Sequence, residues 1–277
     1  MFMAQPDSPV DDITTEMVTS ADGTSLGVHC LGSGSPVVIV HGSISTAESW
    51  LQVASHLAVD HRVFVLDRRG RGLSGDAPEY TLETEAADIA AVLALAAEST
   101  GGVPTLVGHS YGAICTLEAV RRGSQVASLV LYEPPLPVDG PVAGQHLAPY
   151  AAAIAASDND AAMRIAMEHF IRAPAAETEA ISATPLWGLF LSLAPTWTRE
   201  LAEIDACVSV MSEYGESTTR TLLLVGEHSP KHLVGASAYL ASKLPDVTKQ
   251  VLASQSHFAN LVDPGSVAAA IDAFSDR

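Results

Sequence analysis

The chain has 277 residues, enough for one large domain or for a core carrying a substantial insertion. Hydrophobic residues make up 48% and charged residues 17%, a balance that excludes a disordered chain and implies a packed globular one. A net charge of −18 repels phosphate backbones and anionic headgroups, so no nucleic-acid partner and no membrane-surface partner is expected.

The first segment, MFMAQPDSPVDD, has neither a basic n-region nor an apolar h-region, so it does not read as a secretory signal. No apolar run reaches the length of a membrane span. Cys30, Cys115 and Cys207 are widely separated and odd in number, which suits buried thiols in a reducing compartment better than a disulfide framework or a zinc site. A cytoplasmic protein is the expectation, without metal or cofactor.

SLGVHCLG alternates in polarity and ends at GSGSP, a pattern that predicts a hairpin. PVVIVHG is a continuous β-branched run, as in a strand buried on both faces. TAESWLQVASHLA follows at helical spacing, then RVFVLDRRG as a strand and LETEAADIAAVLALAAEST as a helix with acids in its first turn. PTLVGHS is a strand, the run from Tyr111 to Arg122 a helix, and ASLVLYEPP a strand halted by prolines. This β-α repetition predicts an α/β fold with a mostly parallel sheet flanked by helices. The rhythm stops over 137–216, where only Ala-rich helical segments broken by prolines occur. It resumes with TRTLLLVGEHS, ASAYLASKL, KQVLASQSH and a last helix from about Pro264. Residues 1–136 and 217–277 therefore read as one core, and 137–216 as a helical insertion rather than a separate domain.

GHSYG, Gly108 to Gly112, matches G-x-S-x-G between a strand and a helix, the context that motif needs. A serine at such a corner projects its hydroxyl above the sheet, and the helix N-terminus directs N–H groups at developing negative charge. Ser110 is thus the expected nucleophile; the bland alternative is a small-residue turn for close helix packing. HGS at 41–43 follows an early buried strand, which makes the backbone N–H groups of Ser43 and Tyr111 the natural oxyanion pair, with His41 a scaffold residue. Among ten histidines, His257 in SQSHFAN follows the last strand, where the general base of this arrangement falls. LDRRGRGLS carries Arg68, Arg69 and Arg71, read as loop bracing rather than phosphate binding.

HGS, LDRRGRGLS, GHSYG and SQSHF, in that order, resemble the α/β-hydrolase superfamily over nearly the whole chain. The resemblance implies an α/β-hydrolase fold in which 137–216 forms a helical cap over the substrate. Trp187 and Trp197 then either line an apolar substrate pocket or pack between cap helices. The common acid position of the superfamily, the fourth of G-x-x-D after the late strand, holds Ser229 in Gly226-Glu227-His228-Ser229. A serine cannot stabilise an imidazolium as a carboxylate does. Glu133, immediately after the strand that follows the nucleophile helix, lies where a neighbouring parallel strand end can bring it to His257. That placement resembles zearalenone-type lactonases and one group of haloalkane dehalogenases, and makes Glu133 the preferred acid, with Glu227 the alternative. The resemblance implies an esterase or lactonase acting on a small apolar ester or lactone. C–C bond hydrolysis, cofactor-free peroxidation and a non-catalytic binding protein stand as alternatives. Both a monomer and a homodimer fit the sequence.

Overall fold

A computed structural model describes residues 13–275; the reading of the first twelve residues lies outside them. The strands are β1 (Thr14–Thr19), β2 (Ser25–Leu31), β3 (Ser35–Val40), β4 (His61–Leu66), β5 (Thr105–His109), β6 (Ser128–Tyr132), β7 (Thr221–Gly226) and β8 (Val247–Leu252). They form one sheet in the order β1-β2-β4-β3-β5-β6-β7-β8. The β1–β2 and β2–β4 pairs are antiparallel and the remaining pairs parallel. All residues of β5, β6 and β7 are buried, as expected of central strands covered on both faces.

Around this sheet run α1 (Leu51–Leu57), α2 (Leu82–Thr100) and α3 (Tyr111–Arg121), then α4 (Leu147–Ala155), α5 (Asn159–Ala166), α6 (Ala175–Ser182), α7 (Pro185–Ala206) and α8 (Met211–Tyr214), and finally α9 (Lys231–Ala241), α10 (Ala259–Val262) and α11 (Pro264–Ser275). Alternation along β3 feeds two cores. Val37 and Ile39 pack with Trp50 and Val53 before and in α1 and with Ile271 in α11. Val38 and Val40 face Ile89, Ile114 and the helices between β6 and β7. α2 is capped at both ends: Thr81 and Thr84 form a capping box and Gly101 ends the helix in the left-handed conformation.

The hairpin expected at GSGSP requires correction. The turn exists, with Gly32 at φ +68° and Gly34 at φ +124°. The strands it joins, however, do not pair, because β4 lies between them. β3 is apolar on both faces and sits inside the sheet, where α1 returns the chain so that β4 pairs with it in parallel; β4 thereby takes the edge a hairpin would have used. The antiparallel connection instead joins β1 to β2.

Between β6 and β7 the described chain carries helices, α4 to α8, and no strand. Carboxylates of α7 tie it to the core: Glu200 meets Arg68 and Arg71, and Glu203 accepts the Leu82 N–H at the start of α2 (2.9 Å). No described helix is long and apolar enough to cross a membrane.

Candidate active site

Ser110 stands between β5 and α3 at φ 54°, ψ −124°, a backbone region that costs energy for a residue with a Cβ. The corner is held by the Ser110 N–H donating to the Tyr132 carbonyl (2.9 Å), and it exists only because its neighbours are small. A Cβ on Gly112 would fall 2.4 Å from the carbonyl oxygens of Val40 and His41, and one on Gly108 2.6 Å from Ala113 Cα. Across the cleft, a Cβ on Gly42 would come within 2.9 Å of Ser110 Cβ. The HGS loop after β3 therefore lies against the serine, with Tyr111 beginning α3 beside it.

Glu133 follows β6 directly and its side chain is completely buried. One carboxylate oxygen takes the N–H of Gly226 at the end of β7 (2.7 Å); the other takes the Nδ1 hydrogen of His257 (2.7 Å). Adjacency of β6 and β7 brings these groups together, because parallel strands end at the same edge of the sheet. Glu133 itself adopts φ 49°, which turns its side chain back along that edge. Glu227 is elsewhere: it is exposed, and its carboxylate accepts the Ser254 N–H (2.7 Å). The Ser229 hydroxyl is buried without a hydrogen-bond partner.

The loop bearing His257 is clamped by residues that sequence reasoning passed over. The Tyr132 hydroxyl donates to the Ser256 carbonyl and accepts the Ala259 N–H (3.2 Å). His109 stacks on the Tyr132 ring (centroids 4.8 Å apart) and donates from Nε2 to the His257 carbonyl (3.0 Å). Burial, with the nearby His257, pushes the His109 pKa well below its ordinary value, so this ring stays neutral and serves as a donor. His109 thus turns behind the elbow yet still holds the loop that carries His257. Its position next to the serine was the only sequence signal; Tyr132 gave none beyond being a strand residue.

His41 is fully buried. Its Nδ1 donates to the Gly42 carbonyl (2.8 Å) and its Nε2 accepts the Arg68 N–H (3.1 Å). Burial and the neighbouring Arg68 and Arg71 lower its pKa to about 3, which fixes the neutral tautomer those two bonds require. The three arginines of LDRRGRGLS are buried and paired, with Glu85, Asp88 and Glu200, in keeping with bracing.

Two cavities flank Ser110 and His257. One, of about 470 Å³, is apolar, with Ile44, Ile171, Phe190, Trp197 and Phe258 in its wall. The other, of about 400 Å³, has a more polar wall that includes Arg172, His228 and His232. Trp197 borders both. Trp187, a candidate for a substrate pocket or for packing, borders neither cavity; its indole N–H donates to Asp160 (2.9 Å) and its ring lies near Arg164, between α5 and α7. An indole whose N–H finds a carboxylate between helices serves packing. Among the described residues no cluster of His, Cys, Asp and Glu has the arrangement of a metal site.

A serine on a strained strand-to-helix corner, beside a buried carboxylate–imidazole pair and under helices inserted after β6, defines a class of enzyme fold. The chain belongs to the alpha/beta hydrolase family, whose profile matches residues 37–270. It is similar to N-formylmaleamate deformylase of Pseudomonas putida, 40% identical over 114 residues, a match spanning 40% of either protein. Among solved structures, an alpha/beta hydrolase from Sphaerobacter thermophilus superimposes with a TM-score of 0.83 at 29% identity, covering 94% of this chain and 99% of that one. The Rhodococcus esterase RhEst1 superimposes with a TM-score of 0.72 at 25% identity, covering 95% and 98%.

Proposed function

We propose that the protein is a serine hydrolase that cleaves a small carboxylic ester or lactone through an acyl-enzyme. The observation that carries this reading is the 2.7 Å contact between His257 Nδ1 and the buried Glu133, at a cavity wall shared with Ser110. With Nδ1 engaged, Nε2 is the nitrogen left to take the Ser110 proton as its Oγ attacks the acyl carbon. The Ser43 and Tyr111 N–H groups stabilise the resulting oxyanion. His257 then protonates the departing alkoxide as the acyl C–O bond breaks, and water repeats the cycle to release the acid and free Ser110. Glu133 holds the imidazole tautomer and stabilises the imidazolium.

The helices from α4 to α8 act as a cap, and the largely apolar cavity beneath them favours an apolar substrate portion. Likeness to an esterase and to a deformylase, both named for hydrolysis at an acyl carbon, supports the reaction type. The test is covalent labelling with a fluorophosphonate, followed by mass analysis of products from aryl esters and lactones. Wild type should label at Ser110 and Ser110→Ala should neither label nor turn over. A lactone product heavier by one water and unfragmented marks ring opening; two fragments joined by no oxygen in the substrate would mark C–C cleavage instead. An unlabelled wild type would defeat the scheme.

A further inference from the structure

The two proposed oxyanion donors are braced by one side chain that no motif assigns to chemistry. Arg68 follows β4 and is fully buried. Its Nη1 donates to the Gly42 carbonyl (3.2 Å), and its guanidinium lies over the Tyr111 ring, 4.6 Å from the centroid. Nε and Nη2 fork onto Glu85 (3.0 and 2.6 Å), and Nη2 also reaches the Tyr80 hydroxyl (2.9 Å). The remaining partner is Glu200 of α7, which holds Arg71 through the same oxygen (2.6 Å).

Peptide geometry gives this arrangement its consequence. Across a trans peptide the C=O and N–H point in opposite directions, so a donor that fixes the Gly42 carbonyl fixes the direction of the Ser43 N–H. Two donors do so, His41 Nδ1 and Arg68 Nη1, and the Arg68 backbone N–H in turn holds the His41 ring. Arg68 therefore touches the peptide that carries one donor and the ring of the residue that carries the other. Arg68 and Arg71 hold the Glu200 carboxyl below its usual pKa against the effect of burial.

We propose that Arg68 is the positioning residue of the oxyanion hole, and that Glu200 of α7 holds it there. The helices inserted after β6 thereby set the geometry of the reacting backbone. The inference rests on the serine-hydrolase reading above and deepens it.

Arg69 supplies the internal control. It is equally buried in the same loop, forks onto Asp88 (2.7 and 2.7 Å) and donates to Asp22 (3.0 Å), bonds that touch neither donor. Arg68→Lys, Glu200→Gln and Arg69→Lys are compared in the full chain on an aryl ester that the wild type hydrolyses. A trifluoromethyl ketone, whose serine adduct carries an oxyanion, is titrated in parallel, and thermal midpoints are recorded. Arg68→Lys should lower kcat about 10- to 100-fold at unchanged KM, less than outright loss of a donor, and weaken the ketone to a similar degree. Glu200→Gln should move the same two quantities in the same direction by less. Arg69→Lys should lose thermal stability while keeping kcat and ketone affinity. If Arg68→Lys retains kcat, raises KM alone, or loses activity only as Arg69→Lys does, the proposal is overturned. Should Arg68→Lys not fold, the near-isosteric Glu200→Gln decides alone, and unchanged kcat and ketone affinity there overturn it. A wild type that neither labels nor hydrolyses esters would remove the functional reading and this inference together. A wild type that does both, with variants that match it, removes only this one.

Discussion

At the scale of single residues, the acid is the choice that chemistry can test most sharply. Glu133→Gln keeps an oxygen to receive the Gly226 N–H, so the corner should survive, but it removes the charge that the proposed mechanism assigns to steadying the His257 imidazolium. The expected loss is about 10⁴-fold in kcat, the drop that follows when a triad carboxylate becomes an amide. Glu227→Gln, which touches only the Ser254 N–H, should leave kcat largely unchanged; steady-state kinetics on one ester compares them, and the reverse order would move the acid to Glu227. Ser110 and His257 were legible because motif and chain order constrain them. Glu133 was legible only through the adjacency of strand ends. Glu200 was not, since its partner Arg68 lies 132 residues away and nothing local distinguishes a buried helical glutamate from a solvated one. Trp187 stayed ambiguous because a tryptophan in an inserted segment serves packing and ligand contact alike, and only its partner, Asp160, separates the two.

At the scale of elements, α7 ties the inserted helices to the core through Glu200 and Glu203, and it does so despite Pro195 in its interior. Proline lacks the N–H that would bond to the carbonyl four residues earlier, so the Leu191 carbonyl loses its helical donor. Asn159, in the first turn of α5, supplies a replacement: its Nδ2 donates to Leu191 O at 2.9 Å. Tyr150 similarly donates to the Ala194 carbonyl from α4 (2.6 Å). Asn159→Ala should therefore destabilise the protein by about 1 kcal/mol, the cost of a half-buried carbonyl left without a partner. Adding Pro195→Ala should recover much of that loss, because the restored N–H reaches the same oxygen. Urea titration of the two singles and the double measures the coupling, and strictly additive effects would break the argument. The β-α alternation was readable because central strands and amphipathic helices have different periods. The false hairpin arose because turn residues report a change of direction but not which strands become neighbours.

At the scale of the whole molecule, burial of neutral imidazoles ties stability to pH. Burial lowers His41 to about 3, His232 to about 4, and His109 well below its ordinary range, against an unperturbed value of 6.5 for each. With folded values below unfolded ones, the unfolded chain binds protons that the folded chain refuses. Each group's contribution is then fully present above pH 6.5 and is lost as pH falls from 6.5 toward the folded value, by up to about 1.4 kcal/mol per pH unit for each proton taken up on unfolding. Carboxylates held low act in the same direction: burial would raise Glu85, but Arg68 brings it to about 2, and backbone and Thr24 hydrogen bonds bring Asp22 to about 2. Their unfolded counterparts, however, take up protons mainly below about pH 4.5. The interval from pH 6.5 to about 5 therefore isolates the histidines. Unfolding free energy from urea titrations should fall steadily across it, and His232→Gln, at the rim of the polar cavity, should make the fall shallower without removing it. Stability that is flat or rises between pH 6.5 and 5 would mean that the buried rings accept protons in the folded state. The neutral His41 tautomer that steadies the Gly42–Ser43 peptide would then no longer be assured at those pH values.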